Sequence, residues 1–313
     1  MFKRILVPLD GSGLAEAVLP MTGYLAERFQ STVILFHVVE KAPPGVVHGE
    51  HHLQRFAEAR EYLTRVAERL AAPGVTITQH IHETQEAGVA QTIRDHADEL
   101  GADLIVLCAH GRGGLRDVLF GSIAQQVIQQ RTVPVLFVRP GPGKTASPQV
   151  RRILIPLDGL KAHEIAIPVA QALASQCGAT LYLLSVVPTT ETLSIKDAVA
   201  GRASPRTTML ALDSSARQAA DYLQHICDGL TANQQRATGA VLRGDAAARV
   251  QETVAAENID LIVMATHGRS AIDARWEGSL TPRVLPVTTV PVILVRSSPG
   301  DDAAARQEEG ERR

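Results

Sequence analysis

The strongest constraint on the fold of this chain is an internal repeat. The segment Lys3–Gly11, KRILVPLDG, recurs 148 residues later as RRILIPLDG over Arg151–Gly159. Further along, Asp103–Val106 recurs 157 residues later as Asp260–Val263, so the second copy has gained about nine residues in its middle. A repeat of this length indicates two copies of one domain in tandem, each long enough to bury its own core.

The ends of the two copies predict the domain boundaries. Each copy closes on a shared segment, Pro134–Arg139 in the first and Pro291–Arg296 in the second. Between the copies lies a stretch rich in Pro and Gly, and beyond the second copy the chain is charged and nearly free of apolar residues. We therefore predict a first domain over 1–140, a linker over 141–149, a second domain over 150–297 and a disordered tail over 298–313.

Composition excludes several classes of function. With 45% hydrophobic and 20% charged residues, the chain of 313 residues is typical of a globular protein. Its net charge of −2 provides no positive field for a nucleic-acid backbone or an anionic membrane, and 4% aromatic residues are too few for base stacking. No apolar stretch approaches the ~18 residues of a membrane span, and the start of the chain lacks the pattern of an export signal.

The cysteines and histidines predict neither disulfides nor a metal site. The three cysteines, Cys108, Cys177 and Cys227, are odd in number and include no CxxC pair, which favours a reducing, cytoplasmic location. The cluster 48–52, HGEHH, has no spacing that fixes a metal geometry, so we interpret it as a surface loop. His80 and His82 share one face of a predicted strand, where we expect one of them to be exposed.

Within each copy, short β-branched runs alternate with longer amphipathic stretches. This alternation predicts an α/β fold, with two tandem doubly wound parallel five-stranded sheets. In the first copy the strands are predicted at 3–9, 32–39, 75–82, 103–108 and 134–138, and the helices at about 13–29, 50–71, 86–99 and 121–130. In the second copy the strands are predicted at 151–157, 180–187, 238–243, 260–265 and 291–295, with a loop at 189–208.

Two segments that follow predicted strands carry the candidate chemistry of the first copy. In open α/β sheets, ligands bind beyond the carboxyl ends of the strands, where the strand order reverses. Asp10 follows the first strand, and Gly111 and Arg112 follow the fourth, with Gly121-Ser122 opening the next helix. Glycines let backbone amides approach an anion, and a helix start presents unpaired N–H groups. The segment therefore predicts a triphosphate cradle.

Each of these features also has a purely structural interpretation. For Asp10 and its repeat partner Asp158 the structural alternative is a cap on the helix that follows, since Asp is a preferred N-cap residue. Gly121-Ser122 is compatible with a turn and a cap alone. Arg112 fits a solvated loop charge equally well.

The glycine spacing is repeated in both copies and resembles a known family. Nine residues separate Gly111 from Gly121-Ser122, and nine separate Gly268 from Gly278-Ser279. In these motifs the sequence resembles the tandem form of the universal stress protein family, whose nucleotide-binding members carry G-x2-G-x9-G-(S/T). The resemblance covers nearly all of 1–140 and 150–297. It implies an adenine-nucleotide alpha-hydrolase-like fold with strand order 3-2-1-4-5.

The resemblance further implies an adenine nucleotide, ATP or a relative, with Mg²⁺ accompanying it. An Asp after strand one would face the adenine edge, and backbone in strand two would contact the base. In the first domain the implied binding residues are Pro8, Leu9, Asp10, Val38, Cys108, Gly111, Arg112, Gly121, Ser122 and Ile123. In the second domain they are Pro156, Leu157, Asp158, Val186, Ala265, Gly268, Arg269, Gly278, Ser279 and Leu280.

The chain departs from the family pattern in ways that separate the two copies. The first glycine of the motif is replaced by Cys108 and by Ala265, which place a Cβ where the family brings backbone close to the ligand. The second copy also has Leu160 where the first has Ser12, and Glu277 directly before Gly278. We therefore expect the first domain to be the stronger nucleotide site.

The sequence predicts a regulatory rather than a catalytic role. No triad, metal set or poised carboxylate pair accompanies the cradle, so we assign no catalytic residues and expect at most slow ATP hydrolysis. The prediction is a stress-response sensor or regulatory module that binds an adenine nucleotide and an unknown regulatory protein. The alternative is a scaffold without nucleotide, acting through dimerisation or partner binding. The apolar fifth strands, Val133–Val138 and Val290–Val295, predict pairing between domains or in a homodimer.

Overall fold

A computed structural model describes most of the chain. The described residues are 1–40, 46–47, 50–51, 53–84, 88–109, 122–128, 133–140, 148–193, 204–266 and 280–297. They fall into two compact units. The first holds the described residues of Met1–Gln149 together with Pro291–Arg296, and the second holds the other described residues from Val150 onward.

The first unit alternates strands and helices as the periodicity predicts. Its strands are β1 (Arg4–Pro8), β2 (Thr32–Glu40), β3 (Val46–Val47), β4 (Glu50–His51), β5 (Thr76–Thr84), β6 (Leu104–Cys108) and β7 (Val135–Val138). Its helices are α1 (Leu19–Phe29, after a 3-10 turn at Ala15–Val18), α2 (Phe56–Leu70), α3 (Val89–Glu99) and α4 (Ser122–Ile128).

The second repeat follows the same plan. Its strands are β8 (Arg152–Pro156), β9 (Thr180–Val187), β10 (Ala237–Arg243), β11 (Leu261–Thr266) and β12 (Val292–Arg296), the last of which belongs to the first unit. Its helices are α5 (Ala166–Cys177, after a 3-10 turn at Lys161–His163), α6 (Pro205–Ala232), α7 (Ala246–Ala256) and α8 (Thr281–Val284). Among the described helices, none is both long and apolar enough to cross a membrane.

The sheet topology confirms the predicted fold class. In the first unit the parallel strands run in the order β5-β2-β1-β6-β7, which is the order 3-2-1-4-5 of the repeat's own strands. β12 adds to this sheet as an antiparallel partner of β7, with Ile293 opposite Leu136. In the second unit β10-β9-β8-β11 are parallel and repeat the order 3-2-1-4.

Helices cover both faces of the first sheet, which explains why its central strands are apolar throughout. On β5, Gln79 donates from Nε2 to Thr64 of α2 at 3.3 Å, whereas the next residue, His80, contacts His96 of α3. Successive residues of a strand point to opposite faces, so α2 and α3 lie on opposite sides of the sheet. The apolar centre of β1, Ile5 to Val7, is accordingly 0% exposed.

Three predicted boundaries are wrong for local reasons. The helix predicted from about residue 13 begins at Leu19, because Ala15–Val18 form a 3-10 turn instead. The helix predicted from residue 50 begins at Phe56, because Glu50–His51 pairs with Val46–Val47 as a short antiparallel hairpin. The loop predicted through residue 208 ends at Ser204, since Pro205 starts α6. A proline suits the first helical turn because its fixed φ is helical and no partner is needed there for its missing N–H. The linker 141–149 and the tail 298–313 stay predictions, because 141–147 and 298–313 lie outside the described residues.

A carboxylate joins the first and fourth strands in both repeats. Asp103, at the start of β6, accepts backbone N–H groups from Lys3 at 2.9 Å and Arg4 at 2.8 Å. Asp260 repeats the arrangement and accepts from Arg151 at 2.8 Å and Arg152 at 2.9 Å. Because these bonds lie at the amino ends of the central strands, they fix the register of each sheet at the edge opposite to its candidate site.

We expect Asp103→Ala to lower the free energy of unfolding by about 1–3 kcal/mol, because two backbone donors lose a charged acceptor. Chemical denaturation followed by circular dichroism measures the change. Glu61→Ala is the control, since Glu61 lies 75% exposed in a surface ion pair with Arg65 and its loss should cost at most about 0.5 kcal/mol. Equal stabilities of the two variants would contradict the clamping role of Asp103.

Candidate functional site

The candidate site of the first unit lies at the carboxyl end of β1, between β2 and β6. At this position the strand order reverses, which leaves a crevice beyond the strand ends. Pro8 ends β1, and Leu9 continues it by donating its N–H to the carbonyl of Phe36 at 2.8 Å. Buried His37 donates from Nδ1 to the Leu9 carbonyl at 2.7 Å. The chain entering the site is therefore held by β2 on one side.

Asp10 is held in place by the residue two positions later. Its Oδ1 accepts the backbone N–H of Ser12 at 2.9 Å and the Ser12 hydroxyl at 2.6 Å. The same hydroxyl accepts the N–H of Ala15 at 3.2 Å, so the cap of the following turn runs through Ser12 rather than Asp10 alone. Gly11 between them has φ +91° and would place a Cβ 2.8 Å from Leu53 Cγ. Only glycine suits that backbone.

Cys108 ends β6 on the neighbouring side of the crevice. Its side chain is half-buried. Burial, and then the negative charge of Asp10, raise the pKa of its thiol to about 12. Because β1 and β6 are adjacent parallel strands, Asp10 and Cys108 lie at the carboxyl ends of neighbouring strands. With a pKa of about 12, the thiol is neutral at physiological pH.

Two further residues of the first predicted site are fully described. Val38 in β2 is 7% exposed and lies in register with His82 of β5. Ile123, in the first turn of α4, is 41% exposed. Gly111, Arg112 and Gly121 lie outside the described residues, and of Ser122 only the helical backbone is described. The phosphate cradle of the first domain therefore stays a prediction.

A tyrosine and a glutamate beside the site were missed by sequence reasoning. Tyr62 of α2 is buried, and its pKa is raised by burial and by the negative charges of Glu16 and Asp10. Glu16 also pairs with Arg69 at 2.5 Å. At the equivalent positions of the second repeat, Tyr222 donates its hydroxyl to Glu164 at 3.3 Å. The signal was available, because Glu16 and Glu164 occupy equivalent positions of the repeat.

The second candidate site begins in the same way and then differs. Pro156 ends β8, and Leu157 donates its N–H to the Leu184 carbonyl at 2.8 Å. Asp158 accepts the N–H of Leu160 at 3.0 Å, but no hydroxyl is available because Leu160 replaces Ser12. Instead, both carboxylate oxygens lie 2.8 Å from Nδ1 of His163.

This imidazole changes the electrostatics of Asp158. Burial alone raises the pKa of Asp158, but the hydrogen bond and charge of His163 and the Leu160 N–H lower it overall. At the position equivalent to His163, the first repeat has Ala15. The two aspartates that the repeat makes equivalent in sequence are therefore engaged by different partners.

The remaining predicted residues of the second site are only partly described. Val186 in β9 and Ala265 in β11 are half-buried, as is Leu280, which directly precedes α8. Gly268, Arg269, Gly278 and Ser279 lie outside the described residues. Within the part of the chain that is described, no cluster of His, Cys, Asp or Glu is arranged to hold a metal ion.

Comparison with known proteins identifies the family. The sequence model of the universal stress protein family matches residues 1–139 and residues 149–296, once for each repeat. The chain belongs to the universal stress protein family. The tandem form inferred from the repeat is thereby confirmed.

Individual universal stress proteins resemble one repeat or the whole chain. Universal stress protein Sll1654 of Synechocystis is 38% identical over 138 residues, which cover 44% of this chain and 86% of the relative. A solved universal stress protein from Archaeoglobus fulgidus has a TM-score of 0.64 at 15% identity and covers 95% of this chain and 97% of its own. One from Pseudomonas aeruginosa has a TM-score of 0.61 at 20% identity, covering 98% and 97%. At these identities the structures support the fold alone.

The negative charge of Asp10 near Cys108 predicts a slow reaction of the Cys108 thiol with alkylating agents. At pH 8 a thiol with a pKa of about 12 is almost fully protonated, so Cys108 should react with iodoacetamide far more slowly than glutathione does. Asp10→Asn removes a negative charge beside the thiol and should raise the rate about threefold or more. Peptide mass spectrometry measures the alkylation of Cys108.

The control for this alkylation is Glu61→Gln, which removes an exposed carboxylate from the surface of α2 and should leave the rate unchanged. Equal rates in Asp10→Asn and the unmodified protein would show that Asp10 does not act on Cys108.

Proposed function

We propose that this universal stress protein binds ATP, or a related adenine nucleotide, at the carboxyl ends of β1 and β6 in at least the first repeat. Membership of the family supports a role in the stress response. In this proposal the protein senses the nucleotide as a signal and responds by binding an unknown regulatory protein. The proposal includes at most slow hydrolysis, with Mg²⁺ accompanying the nucleotide.

The observation that carries the proposal is the fixed carboxylate of Asp10 in the crevice at the strand reversal. Its Oδ1 is held by two donors from Ser12, so the group is oriented before any ligand arrives. A carboxylate accepts hydrogen bonds from amino groups such as that of adenine. Because no rearrangement of Asp10 is needed, the cost of ordering it is already met in the folded protein.

The described residues around Asp10 suit a flat apolar base beside a polar edge. Leu9 is 4% exposed and Val38 is 7% exposed, and both are apolar residues close to the strand ends. Cys108, at the place of the family's first glycine, contributes a neutral thiol rather than a thiolate, so it adds no charge that would repel phosphates. In the proposal, Gly111, Arg112, Gly121 and Ser122 would hold the phosphates, and the helix start would face their charge.

The second repeat offers a weaker version of the same site. Both oxygens of Asp158 are engaged by His163, so a base amine would have to compete with the imidazole. Gly268 and Gly278-Ser279 keep part of the motif, whereas Ala265 replaces its first glycine. We therefore propose that the first site has the higher affinity and that the second binds nucleotide weakly.

A second candidate function is supported by a separate observation. β12 pairs antiparallel with β7, so the apolar strand that closes the second repeat is already engaged in a strand-to-strand contact. A scaffold that acts through such pairing would need no nucleotide. The two proposals differ in whether the purified protein retains or binds a nucleotide.

The proposed function predicts that protein purified without added ligand releases ATP or a related nucleotide on denaturation, detected by mass spectrometry. Calorimetric titration of the empty protein with Mg-ATP should show about one or two equivalents. The Gly121→Val, Gly278→Val double variant should lose at least about tenfold in affinity, because a side chain blocks close approach of the phosphates.

Gly88→Val is the control for the glycine variants, since Gly88 also precedes a helix and a Cβ there has no atom within 4 Å. Unchanged affinity in the folded double variant would remove the phosphate cradle from the proposal. Empty protein with no heat of binding would favour the scaffold.

The difference between the aspartates predicts a gain of binding in the second repeat. Leu160→Ser with His163→Ala gives Asp158 the residues that surround Asp10, and it should raise the second affinity about tenfold, the effect of one charge-assisted hydrogen bond. Titration with Mg-ATP measures it. The reverse exchange, Ser12→Leu with Ala15→His, should weaken the first site. If neither exchange alters binding, the aspartates do not distinguish the two sites.

A further inference from the structure

Three histidines of the first unit form a cluster at the edge of its sheet. His80 and His82 lie on one face of the edge strand β5, and the ring of His96 on α3 lies over them. The ring centroids are 4.8 Å apart for His80 and His96 and 4.5 Å apart for His82 and His96. Phe36 of β2 closes the cluster, 5.0 Å from His96 and 5.6 Å from His80. The prediction that one strand histidine is exposed is wrong, because both are half-buried.

Protonation of this cluster places positive charge on closely packed rings. His96 donates from Nδ1 to the Thr92 carbonyl at 2.9 Å, which leaves Nε2 to accept a proton. Glu99, also on α3, lies 3.8 Å from that Nε2 and can balance one positive charge. Of the described groups, those that shift the pKa of His80 are His96, Glu99 and His82. On β2 the ring of Phe36 shares this face with Glu40, which lies in register with Thr84 at the end of β5. A second proton therefore places two positive charges on rings whose centroids lie less than 5 Å apart.

The electrostatic balance at His80 agrees with this geometry. Its pKa is lowered by burial and by the charges of His96 and His82, against the opposing effect of Glu99. A histidine whose pKa is lower in the folded than in the unfolded state binds its proton preferentially on unfolding. The contribution of His80 to stability is therefore complete above the ordinary histidine pKa and is lost as the pH falls below it.

The second repeat shows that the fold does not require these imidazoles. In the matching sheet register, Phe36 is replaced by Leu184, His80 by Ala240 and His82 by Leu242. His96 is replaced on α7 by Thr253, whose hydroxyl donates to the Arg249 carbonyl at 2.8 Å. The equivalent positions therefore hold three titratable rings in the first repeat and none in the second.

A hydrogen bond links the helix that covers the cluster to α4. Arg94 of α3 is 5% exposed and donates from Nη1 to the carbonyl of Gln126 in α4 at 2.8 Å. It also donates from Nη2 to Gln91 on its own helix. A displacement of α3 would therefore also shift α4, the helix that begins directly after Gly121.

We propose that His80, His82 and His96 form an acid-responsive contact that loosens α3 from the edge of the first sheet when the cluster gains protons, with Arg94 carrying the change to α4. Like charges on closely opposed rings oppose the packing that the neutral rings favour. This proposal concerns the apo protein and does not depend on nucleotide binding.

Hydrogen–deuterium exchange on the full chain at pH 7.5 and 5.5, corrected for the intrinsic effect of pH, tests the proposal. For backbone amides in β5 and α3, the equilibrium constant for opening should be about fivefold larger at pH 5.5, the effect of one like-charge contact. Peptides from β10 and α7 of the second repeat are the internal control and should not change. Equal opening of β5 and α3 at the two pH values would overturn the proposal. Unchanged exchange over 122–128 would overturn the part that involves Arg94.

A variant with His80→Ala, His82→Leu and His96→Thr carries the residues of the second repeat and should lose the pH effect while remaining folded at pH 7.5. If the triple variant does not fold, His82→Leu alone should reduce the effect. A pH effect that persists in the folded variant would assign it to other groups and refute the cluster.

Discussion

The rest of each unit depends on the burial of its first strand between two parallel neighbours. In the first unit, Ile5, Leu6 and Val7 are wholly buried, and the amino end of the strand is tied to Asp103. Because the strand cannot slide, the residue that follows it is delivered to one place at the opposite edge. The position of Asp10 in the crevice is thus a consequence of core packing and of a carboxylate at the far edge of the same sheet.

The two repeats share one framework of strands and helices but carry different side chains around their candidate sites. The first and fourth strands are nearly identical in the two repeats. Residues at strand ends and at the sheet edge differ: Ser12 corresponds to Leu160, Ala15 to His163 and His80 to Ala240. Changes in the core would cost packing energy in proportion to the volume altered. Changes at strand ends cost less, so the properties that distinguish the repeats are concentrated there.

Strands were predictable from sequence because continuous apolar runs leave few alternative registers, and their ends lie within two residues of the prediction. The start of α2 was not, since the polar residues before Phe56 fit a helix as well as the hairpin that Glu50–His51 forms. The partner of Asp158 was also missed, because it depends on a 3-10 turn that brings His163 back over the carboxylate. Spacing along the sequence predicts which residues follow a strand, but not which side chain a following turn returns to them.

The pairing of β12 with β7 has a consequence for biosynthesis. β7 is an apolar strand whose residues Val135 to Val138 are all buried, and one of its two edges is covered by a segment made more than 150 residues later. Until Val292–Arg296 leaves the ribosome, the first sheet has an open hydrophobic edge of the kind that recruits other strands. A nascent or truncated chain is therefore exposed to misassembly from the completion of its first repeat until the last strand of the second is made.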